Sequence, residues 1–148
     1  MKRISVLPHR CLAALGLFLV SVYPGCTQQS PKFAVADGKV AIGDSPVSGV
    51  VVTLQPIGST TGRKASAPIF NGEFVFTEDS RLEGGRYRVR FSVMPEELLN
   101  GIPEPYRRGI PVSGQVVPLK FDTNSQITWE LQAGGANSNA FQIEFESR

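Results

Sequence analysis

The segment that most constrains the fold is RYRVRFSV, residues 86–93, in which every second residue is apolar. The residues between the apolar ones are Arg86, Arg88, Arg90 and Ser92. Successive side chains of a β-strand point to opposite faces of the sheet, so this alternation predicts one buried face and one wet face. It indicates a half-buried antiparallel strand.

Other parts of the chain follow the same logic. Asn71-Gly72 lies between apolar residues, and because both central residues of a type I′ turn need a positive φ, it predicts a hairpin at this point. A Gly- and Asn-rich stretch, residues 133–139, predicts a second hairpin near the end of the chain. Further strand segments are 39–42, 50–54, 73–76, 126–131 and 140–146. These six or seven short strands predict an all-β fold for residues 34–148, a single antiparallel β-sandwich of about seven strands, transthyretin-like or Ig-like.

Two segments lack a strand pattern. Residues 94–118 form the longest irregular stretch, in which Glu96-Glu97-Leu98-Leu99 is compatible with one helical turn and four prolines after that turn keep the rest extended. Residues 58–63 resemble a phosphate-binding loop only in composition, because their spacing fails the P-loop pattern and no helix is expected to follow. We therefore interpret 58–63 as a flexible hairpin loop. If the domain has a binding surface, these two loops are where we expect it.

The first 25 residues have the pattern of a signal peptide. Three basic residues, Lys2, Arg3 and Arg10, precede or flank an apolar run, residues 11–22. As a helix that run would be about 18 Å long, whereas the hydrocarbon core of a bilayer is about 30 Å thick. Residues 1–25 are therefore predicted to be a leader and not a membrane span.

Cys26 follows the apolar run directly after Gly25 and closes the sequence Val-Tyr-Pro-Gly-Cys. This resembles the lipobox of bacterial lipoproteins, although Tyr23 and Pro24 depart from the usual Leu and small residue. The resemblance implies cleavage before Cys26 and acylation of its sulfur, and two or three acyl chains suffice for stable anchoring. Residues 26–33 would then be a lipidated cysteine with a polar tether. The alternatives are an ordinary cleaved signal with an incidental cysteine and an uncleaved N-terminal anchor.

The destination expected from this leader is the cell envelope. Thr27 rather than Asp follows the cysteine, which by resemblance to sorting rules favours the outer membrane over the inner one. Loss of the leader takes 3 of the 15 basic residues and leaves 12 against 13 acidic ones, a net charge of −1. A nearly neutral domain lacks the basic surface of a nucleic-acid-binding protein, so no nucleic-acid partner is expected.

The residue types needed for catalysis are scarce after the leader. The only histidine, His9, lies in the leader, and Cys26 is the only cysteine after it. No internal disulfide can form, and neither a catalytic triad nor a histidine metal site is expected. Adjacent acids such as Glu96 and Glu97 are more often simply solvated than catalytic. We expect no enzyme activity, no cofactor and no metal.

Four residues are candidate ligand contacts. Arg86, Arg88 and Arg90 form a stripe that suits an anionic polysaccharide, although such a row is more often a solvated face opposed by acids on a neighbouring strand. Tyr106, within the proline-rich loop, is the best placed aromatic residue for stacking on a sugar ring. Trp129 and Phe121 are expected to pack in the core.

The order of several short motifs resembles that of carboxypeptidase regulatory-like domains, also described as transthyretin-like or prealbumin-like sandwiches. The motifs are Gly-Lys-Val at 38–40, Ser-Pro-Val-Ser-Gly-Val at 45–50, Asn-Gly-Glu-Phe at 71–74 and Gly-Arg-Tyr-Arg-Val at 85–89. Residues 117–121, Ser125 and residues 133–137 are similar to the ending found in short planctomycete lipoproteins that carry this domain, with Phe121 in place of the usual Tyr.

The resemblance implies a seven-stranded sandwich without activity of its own. Together with the leader it predicts an envelope-anchored lipoprotein whose domain is a structural or interaction module. The alternative is a lipoprotein that binds carbohydrate or peptide. The expected partners are the membrane, through the lipid, and a cell-surface polysaccharide or an envelope protein.

Overall fold

The computed structural model describes residues 33–147, so the leader and Cys26 lie outside the described residues. The strands are β1 (Val35–Ile42), β2 (Ser45–Pro46), β3 (Val50–Pro56), β4 (Ala65–Ile69), β5 (Glu73–Phe76), β6 (Gly85–Val93), β7 (Gln115–Val116), β8 (Thr128–Leu131), β9 (Ala136–Gln142) and β10 (Glu146–Ser147). Helix α1 is Glu96–Asn100, and short 3₁₀ helices lie at Glu78–Ser80 and Glu104–Tyr106. Seven of these strands have four residues or more.

Sheet I has the strand order β4-β3-β6-β8, and all its pairs are antiparallel. β6 is the segment with strict alternation, and Tyr87, Val89 and Phe91 are fully buried, as predicted. Along the central pair, Val52 lies opposite Phe91 and Leu54 opposite Val89. The apolar residues of β3 and β6 therefore share the inner face of the sheet.

Sheet II is centred on β1. On one side β1 pairs antiparallel with β5 and with the short β2, and on the other side it pairs with β9. The β1–β9 pair is parallel, with Val35 opposite Ala136 and Ala41 opposite Gln142. β7 and β10 form a separate two-stranded ribbon. The chain is an all-β sandwich, and the parallel pair is a feature that its local sequence pattern does not reveal.

Aromatic side chains fill the space between the two sheets. Phe74 and Phe141 belong to sheet II, whereas Phe91 and Trp129 belong to sheet I. The ring of Phe141 lies 5.5 Å from that of Phe91, 5.8 Å from Trp129 and 6.2 Å from Phe74, measured between centroids. Such pairs add about 0.5–1.5 kcal/mol each to what area burial provides. Trp129 is buried as predicted, and Phe121 is half-buried against the core.

The Asn71-Gly72 turn forms, but the strands beside it separate. Asn71 has φ 50° and Gly72 has φ 77°, as a type I′ turn requires. Phe70 and Glu73 exchange backbone hydrogen bonds of 3.1 and 2.9 Å. Beyond this bridge, β4 enters sheet I and β5 enters sheet II, because the apolar faces of the two strands must approach one core from opposite sides. The turn was therefore predicted correctly, and the extended hairpin was not.

The second predicted hairpin is wrong. β8 belongs to sheet I, whereas β9 begins at Ala136, inside the predicted loop, and pairs with β1 in sheet II. The buried side chain of Asn137 explains the change of sheet. Its Oδ1 accepts a hydrogen bond from the Gln132 N–H at 2.8 Å, and its Nδ2 donates to the carbonyl oxygens of Val35, Gln132 and Gly135 at 2.9–3.1 Å. One amide thereby closes the turn and attaches it to the start of β1.

Tyr87 closes the same end of sheet I. Its hydroxyl donates to the Glu83 carbonyl at 3.1 Å and accepts from the Glu83 N–H at 3.0 Å. A Cβ on Gly62 would lie 1.9 Å from that hydroxyl, so only glycine fits above it. Burial raises the pKa of the Tyr87 phenol above its ordinary value, with a smaller opposing effect from the Glu83 hydrogen bond.

Replacing Asn137 by alanine is expected to lower the free energy of unfolding by about 2–3 kcal/mol, because buried backbone groups lose their partners. Chemical denaturation measures this loss. Asn124→Ala is the control, since Asn124 is exposed and is expected to stay within about 0.5 kcal/mol of wild type. Equal stability of the two variants would contradict the role given to Asn137.

Stability is expected to fall above about pH 10, where the unfolded chain ionises its tyrosines while Tyr87 stays neutral in the fold. A raised folded-state pKa gives stability that is complete below the unfolded pKa and is lost as the pH rises through the folded one. Denaturation followed from pH 8 upward, through the ordinary tyrosine pKa of about 10, tests this in wild type and in Tyr87→Phe. The phenylalanine variant should lose this part of the pH dependence, whereas Tyr106→Phe should keep it.

Candidate ligand-contact surface

The three arginines of the stripe lie on the outer face of sheet I. Arg86 is exposed, whereas Arg88 and Arg90 are half-buried. Their alternation with Tyr87 and Val89 places them on the face opposite the core, as the pattern predicts. The structure thus brings all three together on one surface.

Acidic residues oppose two of the three arginines. The Nη2 and Nε of Arg90 lie 2.8 and 3.2 Å from Oδ1 of Asp122. Arg86 pairs in register with Glu130 of β8. These arrangements match the interpretation of the stripe as a solvated face opposed by acids.

Arg88 has different neighbours. In register it lies between Gln55 of β3 and Thr128 of β8, both of which are uncharged. Within residues 33–147, Arg88 takes part in no ion pair. The candidate anion contact therefore narrows from three arginines to Arg88.

Tyr106 lies beside Phe70, which directly follows the edge strand β4 of sheet I. Its side chain is 44% exposed, and its ring centroid lies 5.7 Å from that of Phe70 with the two planes tilted by 54°. Phe70 follows β4, which β3 separates from the arginine strand β6. The structure therefore places Tyr106 and the arginines in two separate regions. Because the two rings are tilted, they do not form one flat surface on which a sugar ring could stack.

The segment 94–118 is irregular apart from α1, the 3₁₀ helix at Glu104–Tyr106 and β7. The helical turn expected at 96–99 is confirmed. Arg107 holds the segment together: its Nε donates to the Ile102 carbonyl at 2.8 Å and its Nη2 to the Asn100 carbonyl at 3.2 Å. Its Nη1 donates to Oε1 of Glu104 at 3.0 Å.

The same segment is fixed to the sandwich at several points. The Ser48 N–H donates to the Gly109 carbonyl at 3.1 Å, and the Met94 N–H donates to the Gly49 carbonyl at 2.9 Å. Gly109 has φ 71°, and a Cβ there would lie 2.3 Å from the Pro46 carbonyl oxygen. These contacts give residues 94–118 a defined shape against the turn that joins β2 to β3.

Two grooves lie on either side of α1. The first, which we call the α1–β4 groove, has a volume of about 510 Å³. Its walls include Val51, Pro68, Phe70, Leu98 and Ile102, with Glu97 as the one charged residue among those that line it. The second has a volume of about 470 Å³ and a mixed lining that includes Glu96, Arg107 and Gln115. Volumes of this size are typical of ligand sites.

The loop 58–63 serves the fold. Thr60 Oγ1 accepts from the Arg86 N–H at 2.8 Å and donates to the Arg86 carbonyl at 3.1 Å. Thr61 Oγ1 donates to Oε2 of Glu83 at 2.5 Å. Strand β4 follows the loop, and no helix does, as expected. These hydrogen bonds hold the loop against Glu83 and Arg86, so the structure does not support the predicted flexibility of the loop.

The topology sets the two ends of the sandwich apart. β1 begins at the same end as β9 and β6, since Val35 lies opposite Ala136 and Ala34 donates its N–H to Leu82, just before β6. β6 runs away from this end, so residues 94–118 follow it at the far end. The point where the chain enters the domain and the α1–β4 groove are thus at opposite ends.

Within residues 33–147 no three His, Cys, Asp or Glu side chains come close enough together to hold a metal ion. The acid pairs Glu78-Asp79 and Glu96-Glu97 lie at opposite ends of the sandwich. No helix in the same part of the chain has the length and apolar character needed to cross a membrane.

Comparison with protein-family models, with curated proteins and with solved structures finds no match to this chain.

The α1–β4 groove is apparent in the structure but is not predicted by the sequence. Phe70 and Leu98 carry no distinguishing local pattern, and they meet only because 94–118 folds back over β4. The signal available in the sequence was indirect: two leucines, Leu98 and Leu99, follow two acids in one helical turn.

The Arg107→Ala variant is expected to loosen residues 95–110 without unfolding the sandwich, because three hydrogen bonds from one guanidinium are lost. Amide hydrogen exchange in this segment should become about five- to tenfold faster. Arg108→Ala is the matched control, as Arg108 is exposed and makes no hydrogen bond or ion pair within the described residues. Equal exchange rates in both variants would show that Arg107 does not hold the segment.

Proposed function

We propose that the chain is an envelope lipoprotein, tethered through Cys26, whose β-sandwich is a non-catalytic interaction module. The observation that carries this proposal is the separation of the two ends of the sandwich. The chain enters at one end, at Ala34, and the grooved segment 94–118 lies at the other.

The short spacing between Cys26 and the domain supports the proposal. Seven residues lie between Cys26 and Ala34, and the eight Cα–Cα steps that join the two positions span at most about 29 Å when fully extended. A lipid on Cys26 would therefore hold the entry end near the membrane surface. The far end, with its two grooves, would then face away from the lipid, where a partner can reach it.

The motifs that resemble carboxypeptidase regulatory-like domains fall on successive elements of the sandwich. Gly38 and Lys39 lie in β1, Asn71 and Gly72 form the turn before β5, and Gly85 starts β6. Membership of that family remains part of the proposal. Membership of that family would agree with a domain that binds a partner and does not catalyse a reaction.

A polysaccharide-binding role is the second candidate, and Arg88 is the observation that favours it. In the register of the sheet, Arg88 lies between Gln55 and Thr128 and has no opposing acid. These side chains offer donors and acceptors to an anionic sugar. An Arg88→Ala variant that loses retention on an immobilised anionic polysaccharide, while Arg90→Ala keeps it, would support this role.

Lipidation is tested by metabolic labelling of the full chain with an alkyne fatty acid. Wild type should incorporate the label and fractionate with membranes, because two or more acyl chains make anchoring stable. Cys26→Ser should lose both properties. Cys11→Ser is the matched control, since Cys11 is the other cysteine of the chain and is expected to leave with the leader.

Equal labelling of wild type and Cys26→Ser would exclude the lipoprotein proposal. Release of a soluble product that begins at another residue would exclude it as well. Loss of labelling in Cys11→Ser alone would place the modification in the leader and contradict cleavage before Cys26.

A further inference from the structure

The α1–β4 groove is an apolar surface left open at the far end of the sandwich. Leu98 on α1 is 59% exposed and lines the groove together with Val51, Pro68 and Phe70. Across the groove, Pro68 and Val51 present the outer margin of sheet I, and Phe70 closes one end beside Tyr106. A ligand that covers this groove would bury Leu98 and Phe70 together.

The frame of the groove is held before any ligand arrives. Ile102, on its floor, is 3% exposed, and its carbonyl accepts the Arg107 hydrogen bond. Met94, which also lines the groove, is fixed through its N–H to Gly49. A ligand therefore does not have to order the segment, so less of its binding free energy is lost.

The charge of the groove is negative. Glu97 lines it and forms no ion pair within residues 33–147, since the acid–base pairs there join Arg90 to Asp122, Arg107 to Glu104 and Lys120 to Glu144. Ser66 also lines the groove, and its hydroxyl is hydrogen-bonded to that of Thr53 at 2.8 Å. The groove thus offers apolar contact with a single unpaired carboxylate at its rim.

We propose that the α1–β4 groove binds a short peptide segment of a partner protein, with apolar side chains against Leu98 and Phe70 and a Lys or Arg beside Glu97. This deepens the proposed function, on which it rests, by naming the class of partner. The groove has too few hydrogen-bonding groups to replace the hydration of a sugar. Glu97 disfavours anionic ligands such as fatty acids, because like charges repel.

The test uses the purified full chain in detergent and three acetylated, amidated hexapeptides. The first is Gly-Leu-Pro-Leu-Lys-Gly, the second carries Glu in place of Lys, and the third carries Ser in place of both Leu. Amide chemical shifts are followed by NMR up to about 5 mM peptide, a range that captures weak contacts. The Lys peptide should shift the amides of residues that line the groove, and the other two peptides should bind at least about fivefold more weakly.

Variants separate this groove from other surfaces. Leu98→Gln, which keeps the length and helix propensity of the side chain, should weaken the Lys peptide at least about fivefold, and Glu97→Gln about two- to fivefold. Leu119→Gln is the matched control, because Leu119 is also 59% exposed but lies beyond the arginine strand. Its affinity should equal that of wild type.

Several outcomes would overturn the inference. They are the absence of saturable shifts, shifts that map outside the groove, and equal affinity of wild type and Leu98→Gln. Preferential saturation of the groove by maltohexaose or by a fatty acid would overturn it too and would name another ligand class. None of these results depends on Cys26. A negative peptide titration would therefore not contradict lipidation of Cys26, and a negative labelling experiment would not contradict peptide binding in the groove.

Discussion

Sheet II depends on the pairing of two strands that lie about a hundred residues apart in the chain. β1 has antiparallel partners on one side only, and the parallel strand β9 covers its other side. The Asn137 amide bonds the carbonyl of Val35, 102 residues earlier, and so sets the register of this pair. Because Phe141 enters the core from β9 and contacts three aromatic rings, the packing between the sheets depends on the same pairing.

The chain passes from sheet I to sheet II at two places, and both turns are tightly constrained by their surroundings. At one margin Asn71-Gly72 joins β4 to β5, and a Cβ on Gly72 would lie 2.8 Å from Pro46. At the other margin Asn137 binds the turn between β8 and β9. The longest connection between strands is formed by residues 94–118, and connections of this length often carry the contact surface of a protein.

Local pattern was enough to predict the fold class, because the strict alternation of 86–93 allows only one buried face. It also predicted the positive φ of Asn71 and Gly72. It was not enough for the pairing: two adjacent strands joined by a short turn look like a hairpin, whether or not they share a sheet. What decides the matter is the position of their apolar faces around the core, and for β9 the buried Asn137. A polar residue in a loop-like sequence gives no sign that it will be buried.

The candidate contacts show the same limit. The arginine stripe was predicted on one face and lies there, but the sequence did not show that Asp122, 32 residues after Arg90, would form an ion pair with Arg90. Residues 33–147 hold 10 basic and 13 acidic side chains, a net charge of −3, so long-range attraction for an anionic polymer is weak, and salt screens it further. Apolar contact is not screened in this way. Affinity at the α1–β4 groove would therefore come from Leu98 and Phe70, while Glu97 sets the orientation of the partner.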